Sequence, residues 1–248
     1  MRLNGKTAIV TGAGSGLGAG IARRFVAEGA RVLVADLNLE AARGVAADLG
    51  AAAAAVRVDV SDAASVAALA AEAIRWFGAL DILVNNAGVG HAPRPLEELD
   101  SGSFERILAV NVRSIYLTAR EFVPAMKRRH RGAILNIAST GAVSPRAGLT
   151  WYNASKGWVV TATRSMAVEL APFGIRVNAL NPVASETPLL KTFMGSDTPE
   201  SRDRFLATIP LGRFATPEDI GHAATFLCGE EASMVTGVAL EVDGGRCI

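Results

Sequence analysis

Short apolar, β-branched runs alternate along the chain with longer stretches whose apolar positions recur at helical spacing. The runs at 7–11, 31–35, 81–84, 133–137 and 175–180 read as buried strands. Each is too short and too evenly apolar for an amphipathic helix, and Gly, Asn or Pro bounds most of them. Between the first two, Leu17, Ile21 and Phe25 fall four apart, with Ala22 and Val26 beside them, forming one apolar helical face. Ser61 and Asp62 open a second helix through an alanine-rich stretch that ends near Gly78. The alanines at 51–55 lead into a strand ending near Val58. Strand, helix and strand in repetition predict right-handed crossovers and an α/β fold, with a parallel sheet covered on both faces. Only the segment from Asn181 to about Pro210, with Pro182, Pro188, Gly195 and Pro199, breaks the alternation. It reads as a mobile cover over a site, spanning about 183–210. Nothing resembles a linker, so residues 1–248 are expected to form one domain.

Composition narrows the class. The 248 residues are 50% hydrophobic and 20% charged, which excludes a disordered chain or a coiled coil. A net charge of +1 gives no electrostatic footprint for nucleic acid or an anionic membrane. No apolar run reaches the roughly 18 residues that a membrane span needs. Met1, Arg2 and Leu3 lead almost directly into a strand, with no visible signal peptide. Cys228 and Cys247 cannot form a disulfide framework, so a cytoplasmic location is expected. A small-molecule enzyme fits these limits.

The glycines are concentrated where chemistry is expected. Gly12, Gly14, Gly16 and Gly18 follow the first strand and run into the first helix. Glycines there permit a tight turn, close approach of a pyrophosphate to backbone N–H groups, and close helix–strand packing. The second strand ends at Asp36, about twenty residues beyond the loop, where a carboxylate can accept from the adenosine ribose hydroxyls. It would repel a 2′-phosphate, and no basic residue follows in Leu37 and Asn38. NAD is therefore favoured over NADP.

Tyr152 and Lys156 lie four apart at the head of a predicted helix and project from one face. A phenol of pKa near ~10 is a poor base at neutral pH. A neighbouring ammonium is expected to lower that pKa and make Tyr152 a proton shuttle. Ser139 stands just beyond the strand at 133–137, on the carboxyl edge where doubly wound sheets bind ligands. Its hydroxyl could bond the carbonyl or alkoxide oxygen on which Tyr152 acts.

These residues resemble the short-chain dehydrogenase/reductase family, in its single-domain branch of about 250 residues. Thr11-Gly12-x-x-x-Gly16-x-Gly18 is similar to its cofactor loop, Asn85-Asn86-Ala87-Gly88 to its mid-sheet motif, and Tyr152-x-x-x-Lys156 to its catalytic pair. The resemblance implies a Rossmann-type doubly wound sheet of about seven strands in three layers. It assigns catalysis to Asn111, Ser139, Tyr152 and Lys156, with Asn111 holding a water beside the lysine. It assigns cofactor binding to Gly12, Ser15, Gly16, Leu17, Gly18, Asp36, Asp59, Val60, Asn86, Ala87, Gly88, Tyr152, Lys156, Pro182, Ser185 and Thr187. Asp59 and Val60 would meet adenine, and Thr187 the nicotinamide carboxamide. Val242-Asp243-Gly244-Gly245 resembles the last strand and turn. One departure stands out: Asn181-Pro182-Val183 occupies the place of the family's usual Asn-Pro-Gly. Val183 is expected to narrow the site beside the nicotinamide, by rearranging the turn or by keeping ordinary backbone angles.

The reaction implied is reversible hydride transfer between NAD and a secondary alcohol or ketone, such as a polyol, a sugar or a small hydroxy compound. A 3-oxoacyl-carrier-protein reductase is the alternative enzyme, and an NAD-binding redox sensor or scaffold the non-enzyme alternative. Candidate substrate contacts are His91, Ser139, Val143, Trp151, Val183 and Phe193. His91, Arg94, Arg146 and Lys191 could recognise an acid group, although such charges are more often solvated. His130 and His222 have no Cys or carboxylate at metal-ligand spacing, and no catalytic metal is expected. The resemblance also implies a homotetramer, with Ile107, Tyr116, Phe122, Trp158 and Met166 supplying apolar surface.

Overall fold

The first apolar run becomes β1 (Thr7–Thr11), buried at every position because helices cover both faces of the sheet. The computed structural model describes every residue except Ser196. In it β1 is joined by β2 (Arg31–Asp36), β3 (Ala53–Arg57), β4 (Ile82–Asn85), β5 (Gly132–Ile137), β6 (Ile175–Pro182) and β7 (Ala239–Val242). They form one seven-stranded sheet in the order β3-β2-β1-β4-β5-β6-β7, parallel throughout. The chain winds outward from β1 to β3, then returns to place β4 on the other side of β1. That reversal opens a crevice at the carboxyl ends of β1 and β4.

Alternation along each strand divides the core in two. Ala8, Val10, Ile82 and Val84 face a cluster shared with α1 (Gly16–Ala27), α2 (Leu39–Leu49) and α9 (Pro217–Cys228). Ile9, Leu33 and Leu83 face a second cluster with α3 (Ala63–Phe77), α5 (Ser114–Arg129) and α6 (Thr150–Leu170). The expected helix face is borne out: Ile21, Ala22 and Phe25 of α1 are fully buried. Asp62 caps α3 by accepting from the Ser65 N–H, and Gly78 ends that helix. No helix among the described residues is long and apolar enough to cross a membrane.

A buried polar chain ties the strand ends to the second helical layer. Asn85 Nδ2 donates to Asn136 Oδ1 at 2.8 Å, and Asn136 Nδ2 donates to Thr163 Oγ1 of α6 at 2.9 Å. Thr118 Oγ1 of α5 donates to Asn85 Oδ1 at 2.9 Å. Each lost member would strand a buried partner, at a cost of about 1–3 kcal/mol.

The segment expected to be irregular contains two short helices, α7 (Pro188–Met194) and α8 (Pro199–Leu206). Both open on a proline. At the first helical position its missing N–H removes no bond, so residues that read as breakers act as starts. The apolar groups offered for assembly also divide. Ile107 and Phe122 are consumed in the chain's own core, while Tyr116 and Trp158 stay exposed at 58% and 41%.

Candidate active site

The carboxyl ends of the central strands open onto a cleft of about 710 Å³. Its wall runs from Asp36 at the tip of β2, past the loop after β1, to Tyr152 and Lys156 of α6 and Phe193 of α7.

At the loop, Ser15 precedes α1 in extended backbone, and its side chain makes no capping bond to the helix N–H groups. Those groups stay available to an anion, where the helix end adds about half a positive charge. Gly16 takes φ +52°, and a Cβ there would stand 3.2 Å from Thr187. Thr187 begins α7 without using its hydroxyl as a cap. An open helix end facing an uncommitted hydroxyl fits a dinucleotide's phosphates and nicotinamide side. Gly18 has a different task from the one expected: it does not line the cleft. A Cβ on it would lie 2.4 Å from the Gly12 carbonyl, so it allows α1 to press against the loop.

Asp36 Oδ2 accepts from the Gly14 N–H at 2.8 Å, and Oδ1 from the Asn38 N–H at 2.9 Å. Asp59 accepts from both the N–H and the hydroxyl of Ser61, which hold its carboxyl below the usual range. Asn86 Nδ2 donates to the carbonyls of Thr11 and Gly12, fastening β1 to β4 beneath the cleft. Val60, Ala87, Gly88, Pro182 and Ser185 also line the cleft. Asn85 is committed to the buried polar chain instead.

The opposite end carries the reactive groups. Tyr152 is 8% exposed, with its ring 4.8 Å from that of Phe193. Burial pushes its phenol up to about 12, against a hydrogen bond with Ser139 that pulls it down. Lys156 is buried with no carboxylate beside it; Nζ donates to the Ile137 carbonyl at 2.8 Å. Burial pulls its ammonium down to about 8. The expected lowering of the Tyr152 pKa by Lys156 is not found: desolvation of the phenol outweighs the one lowering influence, the Ser139 hydrogen bond. Asn111 sits in a π-helical turn, Ala109–Arg113, between α4 (Ser101–Leu108) and α5. Its Oδ1 accepts from the Val89 N–H, and its Nδ2 donates to the Val89 carbonyl and Ser155 Oγ. Ser155 in turn donates to the Tyr152 carbonyl. A Cβ on Gly88 would lie 3.3 Å from Lys156 Nζ and 3.5 Å from Asn111 Oδ1, so these two polar atoms border the same glycine.

Val183 keeps an ordinary backbone; among the described residues only His130 combines a side chain with positive φ. Its N–H donates to the Val242 carbonyl, and its buried side chain lines the cleft. Ser139 and Phe193 line it too, but His91, Val143 and Trp151 do not. The Trp151 indole donates to the Leu96 carbonyl and packs edge-on against Phe104, which turns it toward α4. Val143 is 50% exposed, and His91 is buried with Nδ1 beside the Ala92 carbonyl. Sequence reasoning missed Asn153, Phe205 and Leu190 as cleft residues. Adjacency to Tyr152 was the available signal for Asn153; no pattern marked the other two. His222 Nε2 does have a carboxylate four residues before it, Glu218 at 4.0 Å, which the spacing argument overlooked. No group of three His, Cys, Asp or Glu side chains able to hold a metal gathers among the described residues.

The family model described as enoyl-(acyl carrier protein) reductase, of the adh_short_C2 type, matches residues 12–246. The chain belongs to the short-chain dehydrogenase/reductase family. This family's chemistry makes it a nicotinamide-dependent oxidoreductase acting on alcohol and carbonyl groups. The chain is 46% identical to a 4-formylbenzenesulfonate dehydrogenase of Comamonas testosteroni, over all of both chains. It is 42% identical to a 2-(R)-hydroxypropyl-CoM dehydrogenase of Xanthobacter autotrophicus, over 96% of this chain and 97% of that one. A crystal structure of a 3-ketoacyl-(acyl-carrier-protein) reductase from Brucella melitensis, complexed with NADH, superposes with a TM-score of 0.95 at 51% identity. It covers 99% of this chain and 100% of that one. The parallel α/β sheet read from the alternating runs and the seven-stranded doubly wound sheet implied by the resemblance are both borne out.

Proposed function

We propose that the protein is an NAD-dependent dehydrogenase that interconverts a secondary alcohol and a ketone, with Tyr152 as the general acid/base. The observation that carries this reading is the single cleft shared by the glycine loop, Asp36, Ser139, Tyr152 and Lys156. NAD, when bound, supplies the hydride acceptor, and in reduced form the donor. Ser15, Gly16 and Leu17 would hold its pyrophosphate, Asp36 its adenosine ribose, Asp59 and Val60 its adenine, and Ser185 and Thr187 its nicotinamide.

The chain's own groups manage the proton and the oxygen. Ser139 orients the substrate oxygen, and Tyr152 protonates the ketone oxygen or takes the alcohol's proton. Burial keeps the Tyr152 phenol protonated, the form that donation to a ketone oxygen requires. Oxidation requires the phenolate, which the Lys156 ammonium favours once substrate and cofactor order the site. Lys156 would also hold the nicotinamide ribose. Asn111 stands where a proton relay from Lys156 would leave the cleft, near Gly88. Phe193 covers Tyr152 and limits access of water.

Asp36 accepts two bonds from neutral backbone N–H groups, and its carboxylate at the cleft wall would repel a 2′-phosphate. This supports NAD over NADP. A 3-oxoacyl-carrier-protein reductase is the second reading, favoured by the 51% identity to such a reductase. That structure holds NADH, so the acid at position 36 does not by itself argue against this reading. A non-catalytic NAD sensor fits less well, because Asn111, Ser139, Tyr152 and Lys156 are all present. We also propose a cytoplasmic homotetramer, supported by exposed Tyr116 and Trp158 on α5 and α6.

The test is a spectrophotometric screen of secondary alcohols, polyols and hydroxy acids with NAD and NADP, alongside a 3-oxoacyl thioester with NADH. Turnover of an alcohol with NAD supports the main reading. Turnover of the thioester alone supports the second, and cofactor binding without any turnover supports the sensor.

A further inference from the structure

We propose that the substrate carries a carboxylate or sulfonate remote from its reacting carbon, and that Arg146, assisted by Arg246, binds this anion at the cleft mouth. The inference rests on the dehydrogenase reading above and adds the class of substrate.

The charges that line the cleft are unevenly placed. Its only acids among the described residues are Asp36 and Asp59, on the strands and loops of the adenosine side. Among the described residues no carboxylate lines the cleft beside Ser139 and Tyr152, and Arg146 stands in the wall. It is exposed on one side, while its guanidinium lies 3.6 Å from the centroid of the Phe205 ring on α8. No carboxylate among the described residues pairs with it. The charge it does feel is another cation, Arg246, which together with lost hydration lowers its pKa.

Arg246 is near enough to act on Arg146 electrostatically, and neither arginine forms a salt bridge with a carboxylate among the described residues. The Arg246 guanidinium donates to Ser144 Oγ at 3.0 Å, across 102 residues of sequence, which brings the C-terminal segment to the loop that carries Arg146. Asn153, directly after Tyr152, donates from Nδ2 to the Arg146 carbonyl at 2.9 Å. The Arg94 N–H donates to the Gly148 carbonyl at the end of the same loop. The loop is therefore anchored to the catalytic helix, so the distance from Tyr152 to the cation is fixed by structure. A guanidinium stacked on an aromatic face keeps its edge donors free for a planar oxyanion. An anion there would offset the repulsion between the two arginines. Phe205 belongs to the cover, so occupation would also hold α8 over the cleft.

The test compares acids with their neutral amides: 4-acetylbenzoate with 4-acetylbenzamide, and 5-oxohexanoate with its amide, using NADH. We expect at least one acid to exceed its amide in kcat/KM by about tenfold or more, as a charge-assisted contact implies. Arg146→Gln should remove that preference, mainly through KM, and Arg146→Lys should keep part of it. Equal rates for acid and amide in the wild-type enzyme, or a preference that survives Arg146→Gln, overturn the anion site and leave the dehydrogenase reading intact. Absence of turnover with every compound counts against the dehydrogenase reading instead. The anion site is then judged by calorimetric titration of 4-acetylbenzoate into the NADH-loaded protein. Binding that Arg146→Gln abolishes upholds the site, and binding that is absent or unchanged overturns it.

Discussion

The Gly14 N–H and the Asp36 carboxylate meet at 2.8 Å, locking the glycine loop onto the tip of β2. One carboxylate oxygen of the residue proposed to bind the ribose therefore shapes the loop. Asp36→Ala should lower the NAD-over-NADP preference in kcat/KM by about tenfold or more, and Asp36→Arg should reverse it. Both should raise the KM for NAD, because Gly14 loses its acceptor. Paired kinetics with the two cofactors check this; a wild-type enzyme faster with NADPH than with NADH would refute the proposed preference.

Lys156 gives a pH signature in stability. Its folded pKa of about 8 lies below its ordinary value of 10.5. Between those values the unfolded chain holds a proton that the folded chain lacks, so this group makes stability rise with pH across that window. Relative to Lys156→Met, the wild type should therefore gain on the order of 3 kcal/mol from about pH 8 to about pH 10.5. Urea unfolding of both proteins at the two ends of the window measures it. A difference that stays flat with pH would show that the lysine is not desolvated.

The buried chain from Asn85 through Asn136 to Thr163 is expected to contribute stability without touching the chemistry. Thr163→Val leaves Asn136 Nδ2 without its acceptor at 2.9 Å. Unfolding free energy should fall by about 1–3 kcal/mol with kcat nearly unchanged. A loss under about 0.5 kcal/mol, the range of ordinary surface changes, would contradict this role.

Assembly is the subject of a fourth prediction. Tyr116 and Trp158 remain exposed on helices α5 and α6, as does Val168 of α6. Light scattering at micromolar concentration should give the mass of a tetramer. A monomer mass would contradict the proposed assembly.

The strands and the first helices were legible because each rests on a local pattern: evenly apolar runs such as 82–84, the four-residue spacing of Leu17, Ile21 and Phe25, and the cap at Asp62. The pairing of the candidate residues Tyr152 and Lys156 was legible because they share one helix. Other features depend on tertiary packing and leave no local trace. Trp151 adjoins Tyr152 in sequence, yet its indole turns to Leu96 because a helix sends neighbouring side chains in different directions. The helices α7 and α8 were hidden behind their opening prolines. The approach of Arg246 to the loop of Arg146 depends on its bond to Ser144 across a long stretch of chain, which no spacing rule could anticipate.

The central claim is that Tyr152 moves the proton while NAD takes the hydride. The most direct measurement is NADH formation from NAD and the best alcohol of the screen, by wild type and Tyr152→Phe, with NAD affinity measured on both. Tyr152→Phe should lose about 10²-fold to 10⁴-fold in kcat, the contribution of one positioned acid/base, with NAD affinity nearly intact. A phenylalanine variant that retains a tenth of the wild-type rate would contradict it.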